Sequence, residues 1–510
     1  MKRLIENRVK SHFLYLTSHH LEIFVTCFIG ILIAWALVFS LSLPEKFALI
    51  PTLGLIIAPL IFISPSKEKF LLAVFIFSLC VEVGVKLFER TETTASMVKV
   101  LFQFYISDLL LLILVVIVLV KIYTKRDEIV LSIWNSKLTI FLVLWIAMGF
   151  ASLIPAIDRT AVAIGIIRLI RVFITYFVIF HFVRNQKTTN FILKCFLLAL
   201  FFQSLLMIIQ AVTGSLVFNV PGTRMGLDIV GEINRPTGTL GHSSHYAKFC
   251  GLVLSIALAY AFFSAHLKTK LYMIAFWVSG SIALVFTVSR IGLISWLLSI
   301  IIFFIVILSF RIVPARKKKV VLLSGFTFIA ISVTILILIG GTLLKSRMME
   351  DYGSATVRVP MWKVAINIIK AHPLVGVGLD NYTLVHRHYD DTNEQISIVF
   401  PAPVHNLFLL YAAEIGIIGL IFFLIFMGKI IKASFNCIRK ASLRLDKALY
   451  LCIAIGVINI LIQSMTGMGV VDRIIHLSTI AVFAGIVAKQ ELLFKNSMIG
   501  SKDSIARATK

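Results

Sequence analysis

Residues 403–428 read PVHNLFLLYAAEIGIIGLIFFLIFMG. From Leu407 onward this is an apolar run long enough to cross ~30 Å of hydrocarbon. Its opening is different. Pro403, Val404, His405 and Asn406 follow a long polar loop, and a His-Asn pair is poor material for a lipid-facing segment. The run predicts a membrane helix, and the pair at its mouth predicts chemistry at the membrane surface on a substrate that arrives in the lipid.

The rest of the chain has the same character. Of 510 residues 59% are hydrophobic and 14% charged, with mean hydropathy +0.99, far too little charge for a soluble protein of this size. Apolar runs recur at 22–40, 47–64, 69–87, 105–121, 138–154, 162–183, 191–213, 244–265, 271–288, 290–310, 320–343, 404–428, 447–466 and 474–489. They are solid runs and not short alternating segments, which excludes a membrane β-barrel. The expected fold is an all-α polytopic membrane protein of about 12–14 transmembrane helices. The first run, Leu21–Ser40, is too long for a signal-peptide core and reads as a retained span. The six cysteines fall singly, without the pairing of a disulfide framework or a CxxC site.

The net charge of +25 does not point to nucleic acid, because the basic residues punctuate the spans. Clusters such as Arg311/Arg316/Lys317/Lys318/Lys319 and Lys429/Lys432/Arg439/Lys440/Arg444 fall between apolar runs, as cytoplasmic loops do. With a cytoplasmic start, fourteen alternating spans put each strongly basic short loop and the basic C-terminal tail inside. The expected divisions are an N-terminal bundle (1–213), a first outer loop (214–243), central helices (244–343), a large outer loop (344–402), C-terminal helices (403–490) and a cytoplasmic tail (491–510). Within the large loop, Val359–Ala371 predicts a helix with Trp362, Ile366 and Ile369 on one face and Lys363 and Lys370 elsewhere. That helix would lie on the bilayer surface or cap a site beneath it.

Arginines on the outward side are the second clue, since such positions tend to avoid them. Arg235 lies in the first outer loop, Arg290 where one span gives way to the next, and Arg358 before the loop helix. An anionic group held at the outer surface explains all three, and planar guanidinium suits phosphate oxygens. The alternative is that each snorkels to headgroups or caps a helix. Arg168 and Arg171 sit inside an apolar run, where an arginine costs at least ~2.5–3.5 kcal/mol unless paired or wet. They either hold a lipid phosphate or mark a shallow re-entrant segment. His405 can take a proton from a sugar hydroxyl near neutral pH, and Asn406 can fix the ring or contact sugar. Gly416 and Gly419 alone read as close helix packing. His386, His388, Asp390 and Asp391, and separately His242 and His245, make only weak metal patterns. A solvated loop is the plainer reading of both.

Taken in order, these stretches resemble the O-antigen ligase and polymerase superfamily. His405-Asn406, nine residues, Gly416, two residues, Gly419 is similar to its C-terminal signature. Arg235-Pro-Thr-Gly-Thr-Leu-Gly241, Ser289-Arg290 and Arg358…Trp362…His372-Pro-Leu-Val-Gly376-Val-Gly378 look like its other landmarks. The resemblance implies a lipid-dependent glycosyltransferase fold in the bacterial inner membrane, with the active site facing the periplasm. It implies transfer of a glycan from an undecaprenyl-diphosphate carrier, without metal or other cofactor. The acceptor would be lipid A-core for a ligase, or a second carrier-linked glycan for a polymerase. Arg235 and Arg290 would bind the diphosphate, and His405 would activate or orient the acceptor hydroxyl. Asn406, Arg358, Arg168, Arg171, His242 and His245 are further substrate-binding candidates. In Gly241-His-Ser-Ser-His245 the chain departs from relatives that carry an Asn-containing turn, which leaves acceptor contacts at the two histidines open. A transporter or flippase is the reading from another class. The gathering of polar residues at the outer boundary, and not at mid-membrane, favours the enzyme.

Overall fold

The computed structural model describes residues 64, 66–81, 84–91, 99–125, 133–214, 227–230, 233–310, 312–349, 356–467 and 474–508. The chain divides into two compact units, Met1–Leu71 and Leu72–Lys510. Of the first, only Ser64, Ser66 and the opening of one helix are described, so the expected spans 22–40 and nearly all of 47–64 lie outside the described residues. All that follows concerns the second unit.

Its helices are α1 (Lys67–Val81, which begins in the first unit), α2 (Ile106–Lys125), α3 (Lys137–Ala151), α4 (Arg159–Phe182), α5 (Gln186–Thr213), α6 (Ser243–Phe263) and α7 (Leu267–Phe286). They continue as α8 (Arg290–Ser309), α9 (Lys318–Met349), α10 (Arg358–Ala371), α11 (Leu407–Lys440), α12 (Arg444–Ser464) and α13 (Ile474–Ala508). Ten described helices are long and apolar enough to cross a membrane, and α3 is a shorter apolar helix. This is a multi-pass, all-α membrane protein, as its hydropathy predicts.

Two small antiparallel hairpins depart from that expectation: β1 (Gly84–Thr91) with β2 (Lys99–Tyr105), and β3 (Leu227–Val230) with β4 (Ile233–Pro236). The expected span 69–87 therefore ends at Val81. Gly84-Val-Lys-Leu-Phe and Lys99-Val-Leu-Phe-Gln-Phe-Tyr105 carry the β-branched and aromatic residues that strands favour, which average hydropathy does not separate from helix. The other corrections are extensions. α11 runs to Lys440, not 428, and α13 to Ala508, not 489, so most of the expected tail is helical. Lys, Arg and Glu are good helix formers, and Gly428, at the point where the apolar stretch of α11 ends, does not interrupt the helix. Hydropathy marks only the part of a helix that matches lipid.

The centre of the unit is α6, almost wholly buried, packed against α12, α7, α8 and α5. α6 and α12 are antiparallel and joined by a polar seam. Gln463 Nε2 donates to the Ala247 carbonyl at 3.4 Å, Asn459 Nδ2 to the Gly251 carbonyl at 2.9 Å and to Ser299 Oγ at 2.5 Å, and Cys452 Sγ to the Ser255 carbonyl at 3.1 Å. These bonds put the start of α6 and the end of α12 at one end of the bundle. A built Cβ on Gly292 would come 2.8 Å from Ala247 Cβ, which brings the start of α8 to that end too. α11 and α12 pack together across the short connection 441–443, so the start of α11, with His405, belongs to the same end.

Candidate functional site

The Arg235 turn is held from below by two amides. Gln203 Oε1 accepts from the Thr239 N–H (3.2 Å), and its Nε2 donates to Thr239 Oγ1 (2.5 Å) and to the Cys80 carbonyl (2.7 Å). Gln210 Oε1 accepts from the Gly238 N–H at 2.9 Å. Gly238 and Gly241 supply the positive φ of 58° and 71° that the tight turn requires. Gln203 and Gln210 stand seven residues apart, on one face of α5. They escape motif reading, and buried amides at that spacing in an apolar helix are the only signal of them.

Arg235 is buried, at 6% exposure, and its Nε donates to the Thr287 carbonyl at 2.6 Å. Thr287 ends α7, and Val288 follows with φ +50°. A β-branched residue rarely takes that conformation, and strain of this kind gathers at functional sites. Ser289 then caps α8, its Oγ accepting from the Gly292 N–H at 3.3 Å. Arg290 is the first residue of α8 and is exposed. A cation at a helix N-terminus opposes the macrodipole. An anion bound there would interact favourably with both the guanidinium and the helix end. The turn before Arg290 is thus clamped by Arg235, and the structure brings the two arginine stretches together.

His242 caps α6, its Nδ1 accepting from the Ser244 N–H at 3.1 Å. His245 follows one turn on, 8% exposed, with its ring 5.6 Å from that of His242.

On the large loop, the helix α10 forms where expected but is rotated. Its buried face is Met361, Val364, Ala365 and Ile368, while Ile366 is 41% exposed and Trp362 and Ile369 are partly buried at the flank. The expected face of Trp362, Ile366 and Ile369 is off by about one residue. The reason is that α10 packs protein, not lipid. Its stripe joins Val377, Tyr382, Val385, Ile396, Val404, Leu410 and Ala413 in one core beneath the loop. Arg358 opens α10 and is half-buried.

That core holds Val404, the residue before His405. The His405 ring is partly buried, its centroid 5.7 Å from that of Phe400. Asn406 is the N-cap of α11, with Oδ1 accepting from the Phe408 N–H at 3.0 Å and the Leu409 N–H at 3.3 Å.

Gly416 is more than a close-packing glycine. It breaks α11 with φ 75° and ψ 170°, and Pro373–Gly378 of the loop docks into the break. Val377 N–H donates to the Ala413 carbonyl (2.9 Å), Gly378 N–H to the Glu414 carbonyl (2.9 Å), and Ile417 N–H to the Pro373 carbonyl (2.8 Å). A side chain on Gly416 would overlap the Leu374 carbonyl, and one on Gly376 the Glu414 backbone. The atoms nearest to a side chain built on Gly419 are those of its own neighbour Ile415. Glu414 is 3% exposed, and its Oε1 accepts from the Tyr382 N–H at 3.4 Å. Sequence reading missed it.

The same loop is fastened on its other side. Leu379 N–H donates to Ser152 Oγ (3.1 Å), Asp158 N–H to Asn381 Oδ1 (2.8 Å), and Arg168 is ion-paired with Asp380. Arg171 pairs with Asp108 at 2.6 Å and lies over the Tyr105 ring. Both intramembrane arginines thus face carboxylates, within the single continuous helix α4.

Within the loop, burial lowers the imidazole pKa of His386. Burial works against the Asp390 carboxylate, yet hydrogen bonds from Thr392 and Ser397 outweigh it and hold its pKa below the usual value. Among the described residues, no group of three or more His, Cys, Asp or Glu is arranged to hold a metal ion.

No curated protein matches the chain. The stretch from 274 to 424 takes in Arg290, the whole described loop, His405 and the Gly416 break, and begins beyond Arg235. Residues 274–424 match the family model described as O-antigen ligase, and over that stretch the chain is similar to the O-antigen ligase family.

Proposed function

We propose that this protein transfers a glycan from an undecaprenyl-diphosphate carrier to an acceptor hydroxyl at the periplasmic face of the inner membrane, in the manner of an O-antigen ligase. The observation that carries the reading is the clamp of Arg235 on Thr287, which presents Arg290 at the bundle end where His405 also opens its helix. A carrier diphosphate is already a good leaving group. Charge that develops on it as the glycosyl bond breaks is offset by the fixed guanidinium of Arg290, steadied by Arg235. His405 accepts the proton of the attacking hydroxyl, and the docked loop holds donor and acceptor in register. A single displacement of this kind inverts the anomeric carbon. Arg358, His242, His245 and Asn406 serve substrate indirectly, through the loop and the helix starts they occupy. Arg168 and Arg171, facing carboxylates, act as posts for the loop and for the β2–α2 junction.

The test uses purified full-length protein, carrier-linked glycan and two acceptors, lipid A-core and a second carrier-linked unit. His405→Ala and Arg290→Ala should each lower transfer by 10²-fold or more. Full transfer by both variants refutes the site. Product on lipid A-core identifies a ligase, and lengthened carrier-linked glycan identifies a polymerase. Solute transport without glycan transfer refutes the enzymatic reading.

A further inference from the structure

The large loop meets the bundle at a depth set by the helices that hold it. Lysines mark one end of those helices. Lys429 Nζ lies 5.5 Å from the centre of the Phe141 ring, Lys121 Nζ 5.1 Å from that of Phe182 and Lys489 Nζ 4.8 Å from that of Phe180. Cations gathered at one level, where apolar runs end, mark a membrane boundary. From that end α3 climbs from Lys137 to its C-cap Ser152, α4 from Phe182 to Arg168, and α11 from Lys429 to the break at Gly416. At about 1.5 Å per residue, each path is roughly 20 Å long. Those three points fasten the loop: Ser152 holds Leu379, Arg168 holds Asp380, and the break at Gly416 receives Pro373–Gly378. From Arg168, α4 continues to Arg159, about 14 Å farther, where Asp158 and Arg159 return charge to the sequence. A hydrocarbon layer ~30 Å thick fits between the lysines and that second charged level. The fastening of the loop then lies on the order of 10 Å inside the layer.

The segment is built for that depth. The N–H groups of Gly376, Val377, Gly378, Leu379 and Asn381 each donate to a protein acceptor, as irregular backbone inside hydrocarbon must. Its one carboxylate, Asp380, is paired with Arg168. The large side chains left open are apolar. Ile154 is 81% exposed, Leu374 62%, and Ile157, nearer the second charged level, 69%. The Leu374 carbonyl sits against Gly416, and exposed Ile417 and Ile418 carry the apolar surface onward along α11. We propose that residues 373–380 and the turn 152–157 form a re-entrant collar inside the leaflet remote from the lysines, with Ile154, Ile157 and Leu374 covered by the acyl chains of its lipids. Facing water, this patch would be a liability; facing acyl chains, it meets its own kind of solvent. The loop is thereby seated in lipid as well as bonded to the bundle. The proposal goes beyond the transferase reading and does not depend on it, since a chain that transferred nothing would seat this segment at the same depth.

The experiment reconstitutes the purified full-length protein in vesicles of phosphatidylethanolamine and phosphatidylglycerol. A fluorescent amino acid replaces Ile154, Leu374, Ile421 or Glu394, one at a time, and its emission is quenched by chain-brominated lipid or by aqueous iodide. Ile421, exposed on α11 beyond the break, is the lipid reference, and Glu394, exposed on the loop, is the water reference. Positions 154 and 374 should be quenched by brominated lipid as position 421 is, and by iodide several-fold less than position 394. The unsubstituted protein supplies a second readout that no labelling can disturb. A lipid with a photoreactive diazirine in its acyl chain should form adducts on residues 152–157 and 373–379 as well as on 417–424. Iodide quenching at 154 and 374 equal to that at 394 overturns the proposal, as do adducts on 417–424 with none on the other two segments. A label that neither quencher reaches overturns it too, because protein would then cover the collar. Failure of glycan transfer with these lipid contacts intact would sink the transferase reading alone, and loss of the contacts in a protein that transfers would sink the collar alone.

Discussion

Replacing Gly416 by alanine isolates the seam between α11 and the large loop. The backbone there, φ 75° and ψ 170°, lies in a region essentially confined to glycine, so a Cβ costs about 1–3 kcal/mol in conformation alone. The new methyl also overlaps the Leu374 carbonyl and comes 2.6 Å from the Val375 nitrogen. Those are backbone atoms, so no side-chain rotation relieves the clash. Relief comes only by lifting the loop, which gives up the bonds from Val377, Gly378 and Ile417 at about 0.5–1.5 kcal/mol each. The sum is on the order of 3–7 kcal/mol, or roughly two to five powers of ten in the local opening equilibrium. Gly428→Ala, farther along α11 where a built Cβ has nothing within 4 Å, should be neutral or stabilising by up to about 1 kcal/mol. Amide hydrogen exchange of segments 372–379 and 411–417, read with glycan transfer, separates the two variants. If Gly416→Ala keeps wild-type protection across both segments and full transfer, the docking account is wrong.

Four further outcomes are expected. In a double-mutant cycle, Arg168→Gln and Asp380→Asn should couple by about 0.5–3 kcal/mol in thermal stability, whereas additive effects would show the pair to be incidental. Asn406→Ala should lose about 1 kcal/mol of stability as an N-cap deletion and Asn406→Ser little of it; equal stability in both would contradict the capping role. Transfer by purified enzyme should survive exhaustive chelation, and a loss restored by a divalent cation would remove the arginines from their proposed role. Because the folded pKa of Asp390 is lowered, its contribution is full above the unfolded value of about 3.9 and fades as pH falls through the folded value. Exchange protection of 390–399 should therefore persist at pH 5 and fail in stronger acid, and loss between pH 7 and 5 would contradict the assignment.

The spans were legible because twenty apolar residues in sequence have few fates other than crossing a bilayer. Arg235, Arg290 and His405 were legible because each is out of place by that same rule. Less was legible where the partner was protein. Hydropathy could not say that the loop helix α10 buries Met361 and not Ile366, because the helix packs on a core assembled from residues 361–413. Nor could it say that Gly416 receives a loop: a glycine pair in an apolar run reads the same whether a helix or a backbone segment approaches. Gln203, Gln210 and Glu414 were hidden because a single buried polar residue acquires meaning only from the group it meets, here Thr239, Gly238 and Tyr382. Arg168 and Arg171 drew notice at once, but their carboxylates lie 212 and 63 residues away.

The polar seam between α6 and α12 also bears on how the protein is made. Its bonds join residues 197 to 216 positions apart, so α6 leaves the ribosome well before the helix that satisfies it. At about 5–20 residues per second, that interval is on the order of 10–40 s. Through it a helix bearing Ser243, His245, Lys248 and Ser255 must be kept in the membrane by α5, α7 and α8 alone. Biogenesis therefore has a waiting period ended only by the last third of the chain, and a truncated product lacking α12 presents an unfinished polar face to the membrane's quality-control proteases.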